Sequence, residues 1–200
     1  MPAMLYKGDA EETLAHFRTV AMSTGLPLMI YHIPGRAAVN MTGDTIAGIA
    51  ERLPNLVGIK HAVNDLALVT ELLARLGFDF RIHVGLEDLS FPMLCVGASG
   101  LMNAVGNLAP RKVAELYELT AAGRLAEARA LHYALFELNQ AVFFDTNPIP
   151  MKYMMKRLGL LKDEEHRLPM VPATPELAKR LDRVLERAGL LPREASAAAE

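Results

Sequence analysis

The sequence predicts an α/β fold in which helices cover a parallel sheet, and three observations lead to this prediction. Helical and strand-like segments alternate along the first half of the chain, up to Ala104. The strand-like segments are short and almost continuously apolar, which is typical of strands buried on both faces. The connections are short, which favours right-handed crossovers between neighbouring parallel strands. After Ala104 no strand pattern recurs, and the remainder is predicted to be helical.

The first predicted helix begins at Asp9, where acidic residues follow in the first turn, and ends near Ser23. The apolar run from Leu28 to Ile33 predicts the first strand, and Pro34-Gly35 end it. The same reasoning predicts helices over 42–52, 65–76 and 88–96, and strands over 56–60, 80–84 and 100–104.

Four further helices are predicted over 110–122, 125–144, 150–158 and 175–188, most of them begun by a turn or by a proline in the first turn. The last residues, from Arg193, lack apolar periodicity and are predicted to form a frayed tail. A closed parallel barrel needs eight strands, and only four are predicted here. The sheet is therefore either open or part of a barrel.

Composition favours a folded protein that binds neither nucleic acid nor a membrane. Of 200 residues, 52% are hydrophobic and 22% are charged, which predicts a packed core rather than disorder. A net charge of −2 provides no basic surface for phosphate backbones or anionic lipid. No apolar stretch approaches the ~18 residues of a membrane-spanning helix.

Cysteine usage and the N-terminal residues indicate a cytoplasmic protein. The single cysteine, Cys95, lies in an apolar run and can form neither a disulfide framework nor a thiolate metal cage. The N-terminal residues lack the basic start, apolar stretch and cleavage site of a signal peptide. We therefore expect a reducing, cytoplasmic location.

The candidate site residues follow the predicted strands, because ligands of parallel α/β folds bind at the carboxyl ends of the strands. Lys60 closes an apolar strand, where loss of water favours a neutral, nucleophilic amine suited to Schiff-base formation. The alternative is a lysine that extends to solvent. Tyr31, on the preceding strand, could relay protons to the carbinolamine. Its alternative is a buried core tyrosine.

Two further residues could bind a small acid at the same edge. Arg36 offers a planar guanidinium suited to a carboxylate, although a surface arginine in a turn is equally compatible. Gly85 leaves a strand end without a side chain, so that backbone groups could contact substrate, although it could be an ordinary turn glycine. His61 follows Lys60 and should point to the opposite face.

Nothing in the sequence predicts a metal or a cofactor. The six histidines form neither an HExxH motif nor a two-histidine, one-carboxylate spacing. The glycine-rich run at 97–100 precedes a strand and lacks phosphate-binding spacing.

Four ordered motifs closely resemble the dihydrodipicolinate synthase / N-acetylneuraminate lyase family, and the resemblance extends from near residue 2 to about Leu191. The motifs are Tyr31-His32-Ile33-Pro34-Gly35-Arg36, Gly58-Ile59-Lys60, Gly97-Ala98-Ser99-Gly100-Leu101-Met102 and Thr146-Asn147-Pro148-Ile149-Pro150-Met151-Lys152.

The resemblance implies a (β/α)8 barrel with a C-terminal helical extension, and a Schiff base between a strand-six lysine and pyruvate or another 2-oxo acid. Lys60 matches that lysine, and Tyr31 matches the phenol that assists proton transfer. The resemblance further implies that Arg36 lies at the substrate carboxylate and that Gly85 and Met102 line the pyruvate pocket.

The implied activity is that of a lyase, an aldolase of lysine biosynthesis that works as a homo-oligomer without a cofactor. It would condense pyruvate with an aldehyde, expected to be aspartate semialdehyde, to give 4-hydroxy-tetrahydrodipicolinate. Three departures from the family pattern, His32, Ala37 and His61, leave a sugar-acid aldolase or dehydratase open. A catalytically silent half-barrel that serves only in association is the other alternative.

The chain begins where the fourth strand of the family ends, with residues 2–6 as the tail of that strand. The resemblance therefore implies a truncated, partial barrel of strands five to eight over 1–108. Residues 109–191 would form the final barrel helix and the helical extension, and residues 192–200 the tail.

Overall fold

The structure, a computed structural model, describes residues 9–191. The predicted strand tail at 2–6 and the predicted frayed tail at 192–200 lie outside the described residues. The chain divides into two compact units, with the boundary between Asn103 and Ala104.

The first unit alternates helices and strands, as the sequence predicts. Its elements are α1 (Ala10–Met22), β1 (Leu28–His32), α2 (Pro34–Ala37), α3 (Gly43–Arg52), β2 (Leu56–His61), α4 (Leu66–Leu76), β3 (Arg81–Val84), a 3-10 turn (Glu87–Leu89), α5 (Ser90–Cys95) and β4 (Gly100–Leu101).

The four strands form one sheet in the order β1-β2-β3-β4, and every neighbouring pair is parallel. Each strand therefore lies beside the next strand of the chain, and the connections cross over through the helices. The predicted α/β fold with a parallel sheet is confirmed.

Local capping explains where the longer helices of this unit begin. The side chain of Asp9 accepts a hydrogen bond from the backbone N–H of Glu12, and the Glu12 carboxylate accepts one from the N–H of Asp9. The side chains of Thr42 and Asp65 accept equivalent bonds at the starts of α3 and α4. Such side chains satisfy N–H groups that the first helical turn leaves unpaired.

The two faces of the sheet differ in burial. Ile30, Ile59 and Ile82 lie on one face and are fully buried, and α3 packs against β2 on this side. The opposite face carries Tyr31, of which 53% is exposed. The expectation that the strands are buried on both faces is therefore wrong for β1. We call the two sides the helix-covered face and the open face.

Four element boundaries differ from the sequence prediction. The predicted helix over 88–96 is a 3-10 turn followed by α5, because Pro92 lacks an N–H and is tolerated only in the first turn of an α-helix. The predicted strand over 100–104 is only two residues long. Its neighbour β3 ends at Val84, so no further strand residues are there to pair with it. A one-turn helix, α2, follows Pro34 instead of a turn. The predicted helix over 125–144 is interrupted at Leu135.

The second unit is helical. After a 3-10 turn at Val105–Asn107, its helices are α6 (Pro110–Ala121), α7 (Leu125–Ala134), α8 (Phe136–Ala141), α9 (Ile149–Arg157) and α10 (Pro175–Arg187). Helix α6 packs on α7, and α10 packs on α8 and α9. Within residues 9–191, no helix combines the length and the apolar character needed to cross a membrane.

Candidate active site

The carboxyl ends of the central strands bring two of the predicted site residues together. Tyr31 of β1 is the register partner of Lys60 of β2, and Lys60 is in turn the partner of His83 of β3. Register partners on parallel strands project to the same face, so these three side chains form one row on the open face.

The Lys60 side chain extends along this row toward Tyr31. Its Nζ atom lies 4.1 Å from the centroid of the Tyr31 ring, within the range of a cation–π contact. The lysine is half-buried, and it contacts the ring rather than extending freely to solvent. Tyr31 is largely exposed, so the alternative of a core tyrosine does not apply. The amine therefore lies beside a phenol that solvent and small solutes can reach.

Gly85 follows β3, and its missing side chain leaves the space that Lys60 uses. A Cβ atom at this position would lie 3.0 Å from Cε of Lys60 and 2.9 Å from Cβ of Ala62. Both distances are shorter than ordinary van der Waals contact, so a side chain here would displace the lysine. Gly85 is thus more than a turn residue, because its lack of a side chain accommodates Lys60.

Met102 and Arg36 lie at the same edge of the sheet. Met102 follows β4, its N–H donates to the carbonyl of Val84, and 44% of the residue is exposed. Alternation from Gly100 directs its side chain toward the open face. Arg36 lies on the exposed surface of α2, directly after β1. The five predicted site residues therefore come from the ends of all four strands.

His83 was not selected from the sequence, although its register places it beside Lys60 on the open face. Burial, followed by the charge of Arg81, lowers the pKa of its imidazole, so the neutral ring is favoured near neutral pH. Strand alternation could have identified His83 from the sequence. Positions 83 and 85 lie on the same face of a strand, and Gly85 was already a candidate site residue.

On the helix-covered face, His61 confirms the predicted alternation. It is fully buried, whereas Lys60 is half-buried on the other side of the sheet. Residues 9–191 contain no group of three or more His, Cys, Asp or Glu side chains that could hold a metal ion.

A parallel α/β sheet with a lysine amine and a phenol at its carboxyl edge defines a protein with a candidate Schiff-base site. The sequence matches the "Dihydrodipicolinate synthetase family" over residues 2–188. The chain belongs to this family.

Curated relatives and solved structures agree with this assignment. The "4-hydroxy-tetrahydrodipicolinate synthase" of Thermus thermophilus is 44% identical over 193 residues, which cover 96% of this chain and 64% of the relative. The crystal structure of dihydrodipicolinate synthase from Aquifex aeolicus superposes with a TM-score of 0.89 at 34% identity, over 92% of this chain and 62% of that one. A monomeric dihydrodipicolinate synthase variant gives a TM-score of 0.87 at 35% identity, over 93% of this chain and 63% of that one.

The chain spans less than two thirds of the length of these relatives, 64% in the case of the Thermus enzyme.

Proposed function

We propose that the chain is part of a class I lyase that condenses pyruvate with an aldehyde through a Schiff base on Lys60. The observation that carries the proposal is the Lys60 amine beside the Tyr31 ring at the open, carboxyl edge of the sheet. Membership of the dihydrodipicolinate synthetase family supports it.

The proposed chemistry needs a nucleophilic amine and a group that moves protons. The Lys60 amine attacks the carbonyl carbon of pyruvate after it has lost its proton, and the carbinolamine loses water to give an iminium ion. Tyr31 would pass a proton to the departing hydroxyl. The iminium nitrogen is cationic, so the face of the Tyr31 ring can stabilise it as it contacts the lysine now. Loss of a proton from the pyruvate methyl group then gives the enamine that attacks the aldehyde.

The other predicted residues have binding roles in this proposal. Arg36 would pair with a substrate carboxylate through its planar guanidinium. Gly85 and Met102 would present backbone groups to pyruvate, since they lie at the ends of β3 and β4. We propose aspartate semialdehyde as the aldehyde and 4-hydroxy-tetrahydrodipicolinate as the product. The names of the curated relatives support this choice.

We further propose that the sheet is strands five to eight of a (β/α)8 barrel. A closed barrel of this kind has eight strands, and residues 9–191 supply four. The other four would come from polypeptide outside this range. In this proposal residues 1–108 form the C-terminal half of the barrel, and residues 109–191 form its last helix and a helical extension. A homo-oligomer is the expected assembly.

The test is to incubate the chain with pyruvate and borohydride, measure its intact mass and map the modified peptide. We expect the mass of one reduced pyruvate on Lys60. Lys60→Ala should abolish the adduct, whereas Lys179→Ala, an exposed lysine of α10, should leave it unchanged.

Tyr31→Phe separates the two roles of the tyrosine, because it keeps the ring face and removes only the hydroxyl. Slower labelling in this variant supports proton transfer, whereas an unchanged rate would restrict Tyr31 to the ring contact. If the folded wild-type chain gives no adduct on Lys60, the proposed activity of this chain is wrong. The alternative of a catalytically silent half-barrel would then be favoured.

A further inference from the structure

Two buried histidines face each other directly behind the candidate active site. His32 of β1 and His61 of β2 are register partners on the helix-covered face, and they are 1% and 0% exposed. Their ring centroids are 5.6 Å apart, with an angle of 31° between the ring planes. Each histidine directly follows one of the two residues of the proposed Schiff-base pair, Tyr31 and Lys60.

The Nε2 atom of His32 has two neighbours that require opposite protonation states. The backbone N–H of Met41 lies 3.2 Å away and can only donate, and Oδ1 of Asn40 lies 3.1 Å away and can only accept. Met41 is buried, so its N–H needs a partner, whereas the exposed Asn40 can bond to water. Neutral His32 therefore accepts from Met41 and carries its proton on Nδ1.

His61 has the complementary tautomer. Its Nε2 atom lies 3.0 Å from the carbonyl oxygen of Asp65, which can only accept, so Nε2 carries the proton and Nδ1 is bare. The Nδ1 atoms of both rings are buried, and no described residue provides a hydrogen-bond partner for either. The pair thus encloses one unpaired donor, on His32, and one unpaired acceptor, on His61.

Each histidine holds the segment that follows its own strand. His32 binds the backbone of segment 38–42, which joins α2 and its Arg36 to α3. His61 binds the carbonyl of Asp65, whose carboxylate caps α4 through the N–H of Leu68 at 2.9 Å. Segment 62–65 directly follows β2, which carries Lys60, and segment 38–42 follows β1, which carries Tyr31, after the single turn of α2.

The surroundings favour neutral rings. Burial, and after it the charge of His61, lowers the pKa of His32, although Asn40 and Asp65 oppose the shift. Burial also lowers the pKa of His61, against smaller opposing effects of Asp65. Lys60 projects to the opposite face. Helices α3 and α4 present apolar residues to the interior, and their charged residues are exposed: Asp44, Glu51, Arg52, Glu71 and Arg75.

We propose that His32 and His61 are positioning residues that hold segments 38–42 and 62–65 at the edge of the candidate site, and that a proton on His32 releases the backbone N–H of Met41 in the first segment. A second proton places a hydrogen on Nε2, so that His32 can no longer accept from Met41 and donates to Asn40 instead. The Met41 N–H then loses its acceptor, and His32 holds segment 38–42 through the Asn40 side chain instead of through the backbone.

The first measurement needs no variant and no substrate. Long-range nitrogen–proton NMR correlations report the histidine tautomers, and we expect a proton on Nδ1 of His32 and on Nε2 of His61 at neutral pH. The same tautomer on both rings would overturn the assignment.

The second measurement is amide hydrogen exchange of Met41 from neutral pH down to the acid limit of the folded state, corrected for the intrinsic rate, because the pKa of His32 lies below its ordinary value of 6.5. We expect protection to fall about tenfold toward the acid end, the scale of one lost hydrogen bond. His32→Gln can accept from Met41 but cannot titrate, so its protection should not depend on pH. His16→Gln, which replaces an exposed histidine of α1, should retain the wild-type dependence. A pH-independent wild type, or a His32→Gln variant with unchanged dependence, would overturn the proposal.

The proposal rests on the Schiff-base function only for its catalytic consequence. Protonation of the Lys60 amine slows borohydride-trapped labelling at acid pH in every variant, and we expect the wild type to slow more steeply than His32→Gln. If the chain never labels on Lys60 but Met41 exchange follows the predicted pattern, the function fails and the positioning role stands. If Lys60 labels normally while Met41 protection is constant, the positioning role fails and the function stands.

Discussion

The backbone of β3 passes close to Gly58, and replacing this glycine should weaken the pairing of β2 with β3. A Cβ atom at position 58 would lie 2.1 Å from the carbonyl oxygen of Arg81, its register partner on β3. Ordinary contact begins at 3.4 Å. In Gly58→Ala the two strands must therefore separate locally by about 1.3 Å, which is too far for ladder hydrogen bonds of about 2.9 Å to survive.

The expected cost combines overpacking and lost pairing. Forcing extra atoms into a packed site costs about 1–3 kcal/mol, and each lost hydrogen bond costs about 1 kcal/mol. We therefore expect Gly58→Ala to lower the free energy of unfolding by about 2–4 kcal/mol. Because Gly58 lies two residues before Lys60 on the same strand, labelling of Lys60 should also slow.

The assay is urea unfolding followed by far-ultraviolet circular dichroism, since the chain has no tryptophan. Gly25→Ala is the matched control, because its Cβ would meet nothing within 4 Å and its φ is not positive. The control should be neutral, or stabilising by up to about 1 kcal/mol. If Gly58→Ala and Gly25→Ala unfold at the same urea concentration and with the same dependence of the free energy on urea, the close approach at Gly58 does not affect stability. The reasoning would then be refuted.

Three further predictions follow from single contacts. Gly85→Ala should displace the Lys60 side chain and slow borohydride-trapped labelling by about tenfold to a hundredfold. An unchanged labelling rate would contradict this prediction. Burial, and after it the charge of Asp182, raises the pKa of Tyr153 from 10.0 to about 12. The folded state therefore holds this proton more tightly than the unfolded state, and the resulting stabilisation, complete below pH 10.0, is lost as the pH rises through about 12. Urea midpoints measured across that window should fall less in Tyr153→Phe than in the wild type, and parallel curves would contradict the assignment. Asp9→Ala removes the capping box of α1 and should destabilise that helix by about 1 kcal/mol, seen as faster amide exchange in its first turn but not in α4.

Local chemistry made much of the fold predictable. Asp9, Thr42 and Asp65 cap their own helices through hydrogen bonds that span three residues, so the starts of these helices could be predicted from short stretches of sequence. The apolar runs of β1 and β2 predicted strands because such runs are buried in a sheet. The ends of elements were predicted less well. Strand β4 stops at Leu101 because its neighbour β3 ends, and no local signal conveys this.

In the candidate site too, some features could be predicted from local sequence and others depend on the tertiary structure. The motifs around Tyr31 and Lys60 led to the prediction that these residues form the site, because the chemistry of a phenol and an amine belongs to the side chains themselves. That Lys60 lies across the Tyr31 ring, and that Gly85 leaves room for it, depends on the register of β1, β2 and β3. Register joins residues that are about 30 positions apart, so sequence spacing alone does not determine it.

The buried histidines illustrate what the tertiary structure decided. Alternation predicted that His61 points away from Lys60, and this is confirmed. That His61 faces His32, and that the two rings have complementary tautomers, follows from contacts with Met41 and Asp65 in two different segments. The sequence determined the α/β fold class and the helix starts, and it led to the proposal of Lys60 and Tyr31 as reactive groups, because these depend on local propensity and side-chain chemistry. The partner of each group was decided only by packing, since hydrogen bonds and close contacts require the final geometry of the sheet.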